Sequence, residues 1–405
     1  MDLRRIVTAV IFAWAAALAA PSVAAADLVV WHSYRAEEKA AVEKVVAAYN
    51  AANPKAKVTT LAVPFDAIAD KITAAVPRGN GPDIFIFAQD RMGGWIEAGG
   101  TIEPIDFFLD DATKNRFLPT TMAAMTYRGQ VWGLPLNYKC ITLIYNKKLV
   151  KTPPKDTAEL VKVAKSLTNK AAGRFGLAYA FTDYYYHAAL QNGFDGGPFE
   201  AGSKAALNRK ENVAALELLM RWLDTDGILP GEPSVALITA LFNGGKAGMI
   251  FNGPWFLGEI GKNIDYGLAP LPNITENGGK PMRPWMTVEG VFISPKSANK
   301  DAAYDFAKYL TDTPSAKILA LEGRQSPANK LVYDDPKVAG DKMLKAFKEQ
   351  VDVAVPMPNL PEMTMVWGPA TTMMNSVTKH GATPQAGLDA AQTAVAKDVA
   401  NLRKK

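Results

Sequence analysis

The residues from Leu28 to Phe87 alternate between two periodicities, and that alternation limits the fold more than any other feature of the chain. Leu28 to Trp31 is a short apolar run. Val42, Val45, Val46 and Tyr49 then recur at helical spacing over 36–49, and Asn53-Pro54 stops that helix. Lys57 to Val63 is β-branched and reads as a strand. Phe65, Ile68, Ile72 and Val76 mark a second helical stripe, ended by 79–82, and Asp83 to Phe87 (DIFIF) reads as a third, buried strand. Strand, helix, strand, helix, strand with crossovers of this length predicts parallel strands and right-handed connections. Ligands of such sheets bind beyond the carboxyl ends of the strands. Those ends carry His32-Ser33-Tyr34-Arg35 and Gln89-Asp90-Arg91.

The chain has 405 residues, enough for two domains at roughly 150 residues each. Arg4-Arg5, an apolar run from Ile6 to Ala20, the Pro21-Ser22 break and Ala24-Ala25-Ala26 read as a secretory signal over 1–26. The run is shorter than the roughly 20 residues that span a bilayer. Cleavage after Ala26 would leave no cysteine at the new terminus, so a soluble, exported protein without a lipid anchor is expected, in the periplasm. The formal net charge of +5 includes Asp2, Arg4 and Arg5, and their removal lowers it by one. So thin a charge on so long a chain gives no nucleic-acid footprint. One cysteine, Cys140, excludes an internal disulfide. His32, His187 and His380 show no metal-ligand spacing, so no metal and no cofactor is expected.

Four further segments occur in an order that carries a resemblance. They are GPDIFIFAQDRMGGW (Gly81 to Trp95), LPLNYKCITLIYNKKLV (Leu134 to Val150), FNGGKAGMIFNGPW (Phe242 to Trp255) and VPMPNLPEM (Val355 to Met363). Together they span nearly the whole mature chain, and it resembles the maltose- and maltodextrin-binding proteins of ABC importers. The resemblance implies an α/β, two-lobed periplasmic-binding-protein fold (type II), each lobe a mixed sheet flanked by helices. It implies crossings near Leu136–Thr142, Pro284–Val288 and Ala328–Asp334. The lobes would be 27–138 plus 288–328, and 139–286 plus 333–405. It also implies a monomer that captures a sugar in the interlobe cleft and delivers it to permease subunits working with an ATPase.

A sugar needs fixed polar partners for its hydroxyls and flat aromatic surface for its C–H faces. The resemblance places Asp90, Arg91, Asp183, Tyr185, Trp255 and Trp367 on matching ligand positions. Tyr34 and Arg35 fall where the family has an Asp-Lys pair, so only the position carries over. Phe87 stands for a tryptophan. Lys139 stands for a sugar-binding glutamate, which exchanges an acceptor for a donor. Gly368 and Thr371 stand where the family has tyrosine and arginine. The bland alternatives are an ion pair for Asp90 and Arg91, a core role for Trp255, and a helix start at Asp183 with Tyr184 and Tyr186 half buried. Trp95, Trp132, Trp222 and Trp285 read as packing residues, and His32 as a structural one.

Maltose or a malto-oligosaccharide is the expected ligand, and no enzyme activity is expected. Alternatives on the same fold are another oligosaccharide, an acidic sugar, or ferric ion held by tyrosines. A secreted glycosidase would need two carboxylates about 5–9 Å apart across the scissile bond. Gly381 to Lys405, with Leu388, Ala391, Val395 and Val399 at helical spacing, reads as a packing helix.

Overall fold

The computed structural model describes residues 26–404 apart from 55, 201 and 202. The signal segment, save its final alanine, lies outside the described residues. The anticipated strand–helix alternation is present as β1 (Ala26–His32), α1 (Ala36–Ala52), β2 (Ala56–Ala62), α2 (Phe65–Ala75) and β3 (Ile84–Ala88). Both β2 and β3 pair parallel to β1, with Val30 opposite Thr60 and Ile84. Val42, Val45, Val46 and Tyr49 are buried on α1. Glu37 and Glu38 lie in its first turn, where carboxylates suit the helix dipole.

The sheet is completed by strands from far along the chain. β4 (Leu134–Lys139) precedes β5 (Thr142–Asn146), β6 (Phe175–Ala178), β7 (Ala247–Asn252) and β8 (Tyr266–Ala269). β9 (Trp285–Ile293), β10 (Ser326–Pro327) and β11 (Val355–Pro356) come later. The first sheet runs β10-β4-β9-β3-β1-β2, with β11 against the start of β9. β9 is antiparallel to both β3 and β4, which makes the sheet mixed. Every residue of β3 and β9 is buried, as a central strand covered on both faces requires. The second sheet runs β8-β5-β7-β6.

The chain leaves the first sheet for the second between Lys139 and Thr142 and returns to it at Trp285. Gln89, just after β3, ties β9 and the segment after β11 to the end of β3. Its side chain accepts the Val288 N–H at 2.7 Å and donates to the Met357 carbonyl at 3.1 Å.

Three more helices carry candidate ligand residues or support them: α3 (Met92–Ala98), α4 (Tyr184–Gly193) and α5 (Trp367–Thr378). The terminal helix (Pro384–Leu402) buries Leu388, Ala391, Val395 and Val399, the stripe read from the sequence. Its start is capped by the Thr383 hydroxyl.

Candidate functional site

The carboxyl end of β3 delivers Asp90 into a half-turn that leads to α3. The two glycines after Met92 are needed for packing. A Cβ on Gly93 would lie 2.4 Å from the Asn359 carbonyl oxygen, and one on Gly94 would lie 2.6 Å from Thr364. Glycine therefore lets α3 approach the 359–364 segment, which leads into α5 and its first residue, Trp367. The Trp367 indole N–H donates to Asp90 Oδ2 at 3.0 Å, and Arg91 Nε stands 3.4 Å from the same oxygen. Burial pushes the Asp90 carboxyl up to about 6, opposed by Arg91 and by the indole.

From Trp367 an aromatic chain continues through residues far apart in sequence. Its ring meets Trp285 edge-on at 5.7 Å. Tyr185 lies 6.3 Å from Trp285 and 6.1 Å from Trp255. Trp255 comes just after Gly253, where a Cβ would collide with the indole at 2.2 Å, so glycine lets the ring fold back over the backbone. The rings of Tyr185, Trp255 and Trp367 each keep part of their surface open. Tyr185 also accepts a hydrogen bond from the Thr287 hydroxyl at 3.1 Å, which fixes it to β9.

Asp183 caps α4, accepting the Tyr185 N–H on Oδ1 at 2.9 Å, and among the described residues its Oδ2 has no hydrogen-bond partner. Its side chain is open to water. Protein nevertheless crowds it enough that burial raises its carboxyl above the usual range, with Asp66 on α2 acting in the same direction. Water access together with crowding is what a cleft wall produces. Asp90, Arg91, Asp183, Tyr185, Trp255 and Trp367 are thus gathered in one place. Tyr184 and Tyr186 are buried instead, Tyr184 edge-on to Trp285 and Tyr186 donating to Asn252 at 3.2 Å.

Two expected ligand contacts are used up inside the protein. Lys139 Nζ bonds Glu38 at 2.6 Å and Glu289 at 3.2 Å, and only 7% of its surface is exposed. Burial alone would lower its pKa, but Glu289 and Glu38 outweigh that and raise it. Tyr34 donates to Glu289 at 2.6 Å, accepts from Asn137 at 3.0 Å, and lies under the lysine ammonium. Both side chains serve a buried ionic network. Arg35 faces outward and pairs with Glu259 at 2.5 Å, an ion pair from the start of α1 to the turn after Trp255. His32 is buried and stacks on Tyr34, and burial lowers its pKa to about 4.

Phe87 is buried, and its ring is covered by Phe65 at 5.9 Å. Phe65 is 61% exposed at the start of α2, beside Asp66. Sequence reasoning misses it because the apolar stripe of α2 counts it as one more core position. Trp285 is fully buried, in keeping with a packing residue, yet it joins Trp367 to Tyr185.

Residues 32–317 match the profile described as bacterial extracellular solute-binding protein. The chain belongs to that family. This solute-binding protein is 30% identical over 359 residues to the maltotriose-binding protein of Pyrococcus abyssi, covering 87% of this chain and 77% of the relative. It is 27% identical to the galactooligosaccharide-binding protein of Bacillus subtilis, covering 91% and 88%. It is 28% identical to the maltooligosaccharide ABC transporter solute-binding lipoprotein of Streptococcus pneumoniae strain R6, covering 75% and 73%. Its structure superposes on the maltose/maltodextrin-binding domain from Bdellovibrio bacteriovorus bound to maltotriose with a TM-score of 0.86. That match has 25% identity and covers 92% of this chain and 99% of the other. The two-lobed fold follows from that match. No helix among the described residues is long and apolar enough to cross a membrane.

Proposed function

We propose that this solute-binding protein captures a linear oligosaccharide of the malto-oligosaccharide class and delivers it to the permease subunits of an ABC importer, coupled to an ATPase. The observation that carries the reading is the open aromatic chain Trp367, Tyr185 and Trp255 with ionisable Asp90 and Asp183 at its margin. Flat rings accept sugar C–H faces, and carboxylates accept hydroxyls through the stronger, charge-assisted bonds. The lobes are 27–138 plus 288–328 and 139–286 plus 333–405. They close because ligand touches both, and the Arg35–Glu259 pair is a closed-state contact. The protein acts as a monomer in the periplasm, exported by its first 26 residues without a lipid anchor, and it performs no catalysis.

Thermal unfolding against a panel of maltose, longer maltodextrins, galacto-oligosaccharides and uronic-acid sugars tests the proposal. Ligand at 100 times its Kd adds roughly 2.7 kcal/mol to stability. A shift with α-glucans is expected. A shift confined to another sugar would keep the importer role and move the ligand, whereas silence across the panel would sink the sugar assignment. Chromatography of the incubated sugars checks for cleavage, and intact sugars are expected.

A further inference from the structure

The exposed face of α5 leads away from the aromatic chain. Trp367, Thr371 and Asn375 succeed one another at four-residue spacing and therefore share a face. From first to last they cover about 12 Å of helix, longer than a single pyranose ring. Nothing bulky obstructs that face near its start. Gly368 and Thr371 are both exposed, and a Cβ built on Gly368 meets no atom within 4 Å.

At the far end of the helix lies a recess of about 170 Å³. Asn375, Thr378 and Lys379 form one side, and Thr182, Glu232 and Ser234 form the other. Thr182 immediately precedes Asp183, so recess and cleft share a wall. Part of the lining is engaged within the protein: the Asn375 amide donates to the Thr371 carbonyl at 2.9 Å, the Thr378 hydroxyl to the Met374 carbonyl at 2.7 Å, and Ser234 accepts from the Leu237 N–H at 3.2 Å. The Thr182 hydroxyl, the Asn375 amide oxygen, the Glu232 carboxylate and the Lys379 ammonium remain to meet a ligand. Among the described residues neither Glu232 nor Lys379 has an ion-pair partner. Donors and acceptors without a flat ring suit the hydroxyls of a chain-terminal sugar, which presents more of them than an internal unit.

Resting on the sugar-binding reading, we propose that this recess is an accessory subsite for the terminal unit of an oligosaccharide whose body lies against Trp367, Tyr185 and Trp255. The ligand then runs along α5 from Trp367 past Thr371 to Asn375. A chain too short to reach the recess gains nothing from it.

Calorimetric titration of the mature protein with malto- and galacto-oligosaccharides, each from disaccharide to hexasaccharide, tests this. In the bound series, affinity should step up about tenfold at the length that reaches the recess. Lys379→Ala, at an exposed position, and Asn375→Leu, at a half-buried one, should each shrink that step while leaving disaccharide affinity within about twofold. An affinity flat with chain length, or a step that both variants retain in full, overturns the subsite and leaves the sugar reading standing. Failure of every member of both series to bind overturns the two together.

Discussion

Two clusters of charged and aromatic residues sit at strand ends of this protein, and the fold uses them in opposite ways. Around Lys139 the charged groups are engaged with one another: one ammonium contacts two carboxylates, Glu38 and Glu289, and Tyr34 donates to Glu289. Around Trp367 the partners are incomplete, with one Asp183 oxygen lacking a partner among the described residues and three aromatic residues partly exposed. Residue type does not distinguish the clusters, since both combine carboxylates, a cation and rings. The saturation of partners does. A cluster already satisfied has nothing to offer a ligand, and breaking it exposes the cost of an unpaired buried charge.

Lys139→Met breaks the comparison most severely. It strands two carboxylates and should cost about 3–5 kcal/mol in denaturant unfolding, with the sugar affinity of the folded fraction unchanged. Weakened sugar binding at full stability would instead place the ammonium on the ligand. Trp255→Ala is the converse. Truncating a ring that anchors ligand should cost about 2 kcal/mol of affinity, roughly thirtyfold in Kd by titration. Equal binding by this variant would remove the stacking role.

The third test is pH. Asp90 titrates near 6, and a hydroxyl donating to it needs the carboxylate. Affinity should therefore be full above that value and fall about tenfold by pH 5, where roughly a tenth remains ionised. Asp90→Asn should flatten the profile. For stability the sign is opposite. Between 3.8 and about 6 the folded carboxyl keeps a proton that the unfolded one has lost, so this group's contribution to stability declines as pH rises through that window. The smallest effect belongs to Phe65→Ala. An exposed ring at the cleft margin should be worth about 0.5–1 kcal/mol of affinity, with stability unchanged within about 0.5 kcal/mol. Unaltered affinity would leave Phe65 as a cover for Phe87 only.

The first two helices are legible because each buries one stripe, which writes a period into the sequence, and β3, buried throughout, is legible as a short apolar run between turn signals. β9 is not: all nine of its residues are buried, so it has no period, and its place between β3 and β4 is a tertiary fact. Asp90, Asp183, Trp255 and Trp367 are found through ordered motifs that resemble a known family. The same resemblance places Lys139 and Tyr34 on the ligand. The residue that engages both is Glu289, which lies far along the chain from either, and no local pattern announces that pairing. Phe65 escapes notice for the reverse reason, since an apolar stripe does not reveal which of its members the fold leaves uncovered.

The position of β9 also sets a schedule for synthesis. It is the partner of both β3 and β4, yet it is translated long after them. At about 5–20 residues per second, a ribosome takes roughly 10–40 s to travel from Ala88 to Trp285. Throughout that interval the nascent chain carries three strands able to pair and an apolar edge on β3 with no native neighbour, the kind of surface that chaperones cover and that aggregates. The first sheet thus cannot be finished early by local pairing alone: its middle strand leaves the ribosome long after both of its neighbours.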